Sequence, residues 1–168
     1  MLKSVLNILA STPQKLKLEI STLSQREMRT RPADGKWSVQ EVLAHLADVE
    51  EFGMRARVAD MIELDCPTLP PFDQEARAIE LKYKSIDPTR SLASLLSQRQ
   101  ANLKWLRTLR PAQLKREGIH QTVGKICVEE LITEWAFHDL GHLKQILEIK
   151  RYALFPHMGN MRAFYELK

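Results

Sequence analysis

Four stretches of the chain carry apolar residues at the alternating three- and four-residue spacing that turns one face of an α-helix inward. The first is Leu16, Ile20 and Leu23, preceded by Ser11-Thr12-Pro13. That triplet reads as an N-cap followed by proline in the first helical turn, where its missing N–H is not needed. A helix is therefore expected from Pro13 to an end between Ser24 and Arg31, with a shorter helical lead-in before it. The second stripe is Val42, His45, Val49, Phe52 and Ala56. Ser38-Val39-Gln40-Glu41 opens it with a capping box, Trp37 packs back on its first turn, and the prolines at 67, 70 and 71 stop it after about Leu64. The third is Leu92, Leu95/Leu96, Arg99, Leu103 and Leu106, ending before Pro111. The fourth begins at Cys127-Val128-Glu129-Glu130, whose acidic residues suit the positive end of the helix dipole, and continues through Leu131, Trp135, His138, His142, Gln145 and Ile149.

Between the stripes, residues 72–83 suggest a short helix and Asp87-Pro88-Thr89 a turn that opens the third stripe. Residues 111–125, with Gly118, His120 and Gly124, read as a loop, and the tail from Tyr152 to Lys168 holds His157 outside any helical stripe. No alternating run of strand length is present. These elements predict an all-α fold: one domain over residues 1–168, built as a four-helix bundle with additional short helices and long loops.

Composition adds limits. A chain of 168 residues with 44% hydrophobic content can bury a core without disulfides. Cys66 and Cys127 form no C-x-x-C pair, which points to a reducing compartment rather than a thiolate metal knuckle. The first residues make a poor signal sequence, with Asn7 inside the apolar run, and no run approaches the roughly 18 apolar residues of a membrane span. A cytoplasmic protein with no membrane partner is expected. The net charge of +4 is spread over scattered lysines and arginines without an aromatic-interleaved basic stripe, so no nucleic-acid partner is expected either.

The chemistry lies in the imidazoles. His138 and His142 are one turn apart on one helix face, close enough for two ring nitrogens to meet one ion, and His45 occupies a core position of another stripe. Three imidazoles buried without partners would cost several kcal/mol, which a shared cation removes. A three-histidine site leaves a coordination position open, as catalytic metal sites do. Imidazole suits zinc, nickel or iron alike, so the divalent metal stays unspecified. Glu41 and Glu134 each precede a ligand by one turn and could orient it or act as a general base; the capping box claims Glu41, leaving Glu134. Gln145 continues the stripe and is placed to contact a bound water, and Gly141 thins the helix beside the site. Arg99, on an apolar stripe, either packs its stem and sends its head to water or is the buried partner of an acidic group. His120 reads as a loop residue.

Two segments, Gly35-Lys36-Trp37-Ser38-Val39-Gln40-Glu41-Val42-Leu43-Ala44-His45-Leu46 and Trp135-Ala136-Phe137-His138-Asp139-Leu140-Gly141-His142-Leu143-Lys144-Gln145-Ile146, make the chain resemble the DinB-like helical bundles. The likeness extends over the segment Pro67 to Pro71, the Arg99 helix and the Gly118 to Gly124 linker, nearly the whole chain. It implies a bundle of up-down-down-up order, a divalent metal on His45, His138 and His142, a small-molecule substrate and a homodimer. The family includes thiol-dependent S-transferases and a maleylpyruvate isomerase that use a low-molecular-weight thiol as cosubstrate, and many members without an assigned reaction. Cys127 stands where the family often has threonine or serine, a departure that touches helix capping.

Three functions compete. The first is a metal-dependent transferase or hydrolase. The second is a non-catalytic bundle with a structural metal or none, serving as an interaction module. The third, a zinc peptidase, draws on His138-Asp139-Leu140-Gly141-His142, which differs from H-E-x-x-H by aspartate for glutamate. Asp139 is a methylene too short for the usual base, and His45 already supplies a third ligand.

Overall fold

Helix α1, Leu2–Ile20, runs straight through Pro13 rather than starting there. The expected lead-in and helix are thus one element, because the cost of an interior proline is met from outside the helix. Pro13 has no N–H for the carbonyl of Leu9 one turn earlier, and Arg99 Nη1 donates to that oxygen at 2.8 Å instead. The helix stops at Ile20, and a separate five-residue helix, α2 (Gln25–Arg29), follows under its own capping box from Ser24 and Glu27. The coordinates are a computed structural model and describe residues 1–166.

Helix α3, Val39–Asp48, opens on the predicted capping box: the Ser38 N–H donates to the Glu41 carboxylate at 3.0 Å, and the Glu41 N–H donates to Ser38 Oγ at 3.4 Å. Arg31 pairs with the same carboxylate, so Glu41 is structural. The helix then widens into a π-helical segment, Val49–Arg55, before α4, Ala56–Glu63. The wider turn rotates the inward face. Phe52, expected inside, is 52% exposed, whereas Glu50, Gly53, Met54, Val58 and Met61 are buried. Gly53 belongs to this distortion, since a Cβ there would lie 2.2 Å from Val49 Cγ2.

Helices α6 (Pro88–Leu106) and α8 (Val128–Leu154) complete the four-helix bundle. Asp87 caps α6, accepting from the N–H groups of Thr89 and Arg90, and the Glu130 carboxylate accepts from the Cys127 N–H at the start of α8. Helix α1 packs on α8 and α6, and α3 packs on α6 and α8. The core divides into a cluster around Leu9, Val58, Met61, Leu106, Ile132 and Trp135 and another around Leu16, Val42, Leu43, Leu46, Tyr83, Leu95 and Ile146.

The connections are more ordered than the sequence suggested. Residues 64–87 contain strand β1 (Thr68–Leu69), helix α5 (Gln74–Glu80) and a short 3₁₀ turn. The expected loop 111–125 holds the four-residue α7 (Pro111–Leu114), β2 (Glu117–His120) and the start of β3 (Gly124–Cys127). Strand β2 pairs in parallel with β1 and antiparallel with β3, with Leu69 and Gly124 both opposite His120. Strands of two and four residues are too short to show an alternating pattern in the sequence. Gly124 turns the hairpin at φ +84°, a region that favours glycine. His157 is exposed in the 3₁₀ turns that follow α8. Among the described residues no helix is long and apolar enough to cross a membrane.

Candidate metal centre

The two helices that carry the histidines bring three ring nitrogens to one point. His138 Nε2 lies 3.1 Å from His45 Nε2 and 3.1 Å from His142 Nε2. Such spacing suits nitrogens each about 2.0–2.1 Å from a common ion. The protons argue the same way. Gln145 Oε1 accepts from His142 Nδ1 at 2.8 Å, which leaves His142 Nε2 a bare lone pair. In that arrangement His138 Nε2 has one proton for two neighbours, so no set of protons satisfies both contacts, and a cation satisfies all three nitrogens at once. The Nδ1 atoms of His45 and His138 are buried without partners, so Nε2 is the functional end of each ring.

The site keeps its imidazoles neutral. Burial first, then repulsion from His142 and His138, pushes His45 down to about 2. Burial, His142 and the Arg99 charge push His138 down to about 3, and burial lowers His142 against the pull of Gln145. Trp37, 5.0 Å from the His45 ring between centroids, and Phe72, edge-on at 6.0 Å, supply the apolar wall. Neutral rings are the form that binds a metal. The donor set and its convergence therefore fit a divalent ion.

One residue further along α8, a different constellation begins. Asp139 points away from the histidines and accepts from Arg99 Nη1 at 2.6 Å and Nη2 at 3.0 Å. Arg99 also donates to both Glu50 oxygens, at 2.8 and 2.7 Å, and Glu50 accepts from Asn102 Nδ2 at 2.9 Å and Trp135 Nε1 at 3.0 Å. Arg99 and Asp139 are 2% exposed and Glu50 is 0% exposed, so this knot is dry. Of the two alternatives for Arg99, the buried partner of acidic groups is the one observed. Burial opposes the Arg99 charge, but Glu50 and Asp139 hold it firmly in place; burial raises the Asp139 carboxyl while Arg99 pulls it back. Asp139 is thus committed to the bundle interior and takes no place beside the histidines, contrary to a zincin-like base.

A cavity of about 450 Å³ reaches two of the histidines. His45 and His138 lie at one part of its wall, with Val49, Met54, Phe72, Val123, Ile126 and Leu131 as apolar lining. Its polar groups are Arg57, Gln74, His120, Glu130 and Glu134. The surrounding protein raises the Glu134 carboxyl, with Arg57 opposing. A second cavity of about 280 Å³ is lined by Trp37, Lys36, Gly141, Lys144, Gln145 and Tyr152 among others, and touches none of the three histidines. Gln145 is therefore turned toward His142 and that second cavity rather than toward the first. His120, which reads from the sequence as a loop residue, lines the first cavity, where the strand register places it.

Comparison with known proteins agrees with this geometry. A model of the DinB superfamily matches residues 8–146. YfiT of Bacillus subtilis, named as a candidate metal-dependent hydrolase, is 29% identical over 147 residues, covering 87% of this chain and 82% of that protein. A similarly named protein of Oceanobacillus iheyensis is 28% identical over 145 residues, covering 86% and 83%. The solved structure of YfiT, described as a candidate metal-dependent hydrolase with an unusual four-helix bundle topology, superposes with a TM-score of 0.82 over 89% of this chain and 85% of that one.

Proposed function

The chain belongs to the DinB superfamily, and from that premise we propose that it is a metal-dependent hydrolase acting on a small molecule with an apolar body. The observation that carries this reading is the convergence of three neutral Nε2 atoms, two of them on rings that line an apolar cavity. His45, His138 and His142 would hold a divalent ion, which supplies Lewis acidity at an open coordination position when bound.

The remaining steps belong to the chain's own groups. Gln145 Oε1 accepts a hydrogen bond from His142 Nδ1–H, which holds the proton on Nδ1 and keeps Nε2 of that ring free to ligate. Glu134, one turn before His138 on the cavity wall, acts as general base, and its raised carboxyl is better matched to accepting a proton near neutral pH than an ordinary carboxylate. The apolar lining and the aromatic wall shield His45 and His138 on the side of Trp37 and Phe72.

A thiol-dependent transfer, with a low-molecular-weight thiol as cosubstrate, needs two organic reactants at the ion. The second cavity stands behind Trp37 and Gln145 without reaching the histidines, which favours water as the second reactant. Protein purified without a metal-affinity tag is expected to contain about one divalent ion per chain by elemental analysis, lost in His138→Ala. Turnover of small esters and amides should need the ion and be indifferent to added glutathione, bacillithiol or mycothiol. Turnover that appears only with thiol would replace hydrolysis by S-transfer. A metal-free wild type of equal stability would overturn both and leave an interaction module.

A further inference from the structure

The strand that lines the cavity is oriented against the usual rule of apolar side chains inward. Successive residues of a strand point to opposite faces. In β2, Gly118 is buried against Met61 and the Pro67 carbonyl, so His120, two residues on, shares its inward face. Ile119, between them, faces outward and is 37% exposed. The register thus exposes an isoleucine and turns an imidazole toward the cavity. A slip of one residue would reverse both, and pairing with β1 and β3 prevents it: Ile119 sits opposite Thr68 and Lys125, His120 opposite Leu69 and Gly124.

The ring is also prepared as a donor. The Thr122 N–H donates to His120 Nδ1 at 3.2 Å, so that nitrogen carries a lone pair and the proton of the neutral ring resides on Nε2. Nε2 has no protein partner among the described residues. The other donors on the cavity wall are Arg57, which already gives an N–H to the Pro70 carbonyl, and Gln74, which lies outside the sheet.

We infer that His120 is a substrate-binding residue, whose Nε2–H donates to an acceptor oxygen on a substrate held between β2 and the three histidines. This rests on the reading of the histidines as a metal site. It narrows the substrate class to small, largely apolar molecules with a hydrogen-bond acceptor away from the reacting group, and it makes β2 a specificity element.

The test uses two ligands for the zinc-loaded protein, benzohydroxamate and 4-carbamoylbenzohydroxamate, which differ by an amide acceptor at the end remote from the metal-binding group. Wild type is expected to bind the amide-bearing ligand about three- to tenfold more tightly by calorimetry, the range of one neutral hydrogen bond. His120→Phe should abolish that preference, and His120→Gln, which retains an N–H donor, should restore part of it. Independently of any variant, the His120 ¹⁵Nε2 resonance should shift on titration with the amide-bearing ligand and stay in place with the other. A preference that survives in His120→Phe, or a ring resonance that ignores both ligands, overturns this inference alone. Failure of both ligands to bind zinc-loaded wild type overturns the metal reading and this one with it.

Discussion

Neighbouring residues on one helix, His138 and Asp139, belong to two constellations built on opposite principles. His138 is one of three neutral rings, two of which line a cavity, whereas Asp139 is one of two carboxylates around a single cation in the buried interior. In the first, burial removes charge from the protein so that an external cation can supply it. In the second, burial is tolerated because Arg99 meets Glu50, Asp139 and the Leu9 carbonyl together, leaving no N–H of the fork idle on that side. The knot links α1, the π-helical segment, α6 and α8, so it sets how the histidine-bearing helices sit on one another. Among the described residues the Nε2 atoms of the histidines, by contrast, bond to nothing but one another.

If the two regions divide the work in this way, they should fail differently. The largest effect is expected from Arg99→Met, which strands two buried carboxylates: about 3–5 kcal/mol of stability lost in urea unfolding, with chelator or without. A loss below about 1 kcal/mol would mean that the knot does not hold the bundle together. Next comes pH, read on metal-free protein. The folded-state values of about 2 for His45 and about 3 for His138, and the lowered His142, all lie below the ordinary value near 6.5. Unfolding therefore takes up protons below that value: the stability is fully present above about pH 6.5 and is lost as pH falls toward the folded values. For each histidine that stays neutral the slope should rise from about 0.7 kcal/mol per pH unit at about pH 6.5 toward a limit of about 1.4 below about pH 5.5. Raised Asp139 acts in the opposite sense, gaining stability as pH falls, so the histidine slope is cleanest between pH 6.5 and 5.5. A triple histidine-to-glutamine variant should flatten the curve there; an unchanged slope would assign it to other groups.

The smallest effect on stability and the most selective effect on the metal are expected from Gln145→Ala. Loss of the His142 Nδ1 acceptor should weaken zinc binding about 10-fold or more, measured by competition with a chelating dye, while the urea midpoint of the metal-free protein stays within error. If zinc affinity is unchanged, Gln145 does not orient His142.

The histidines were legible because each sits on a helical stripe whose period is set by its own neighbours: His45 between Val42 and Val49, His138 and His142 between Trp135 and Ile149. Glu50 was not, because the π-helical segment that turns it inward also turns Phe52 out, and a pattern counted at 3.6 residues per turn carries no sign of the extra residue. Asp139 was missed for a related reason. Helix α8 is packed on two sides, so its buried surface is wider than one stripe and takes in Ala136 and Asp139 next to Trp135. Pro13 misled in the other direction: it resembled a helix start, and only a donor from residue 99 makes it tolerable inside α1.

Local rules, then, settled the helices, their caps and the residue types able to hold a metal, since periodicity and capping depend on residues within a turn or two. Contacts between residues far apart in sequence decided the rest. The meeting of His45 with His138 spans 93 positions, the Arg99 bond to Leu9 spans 90, and the pairing that faces His120 into the cavity joins β2 to a strand some fifty residues earlier. Such pairings are selected by the burial and hydrogen bonding of the whole bundle, which no window along the chain contains.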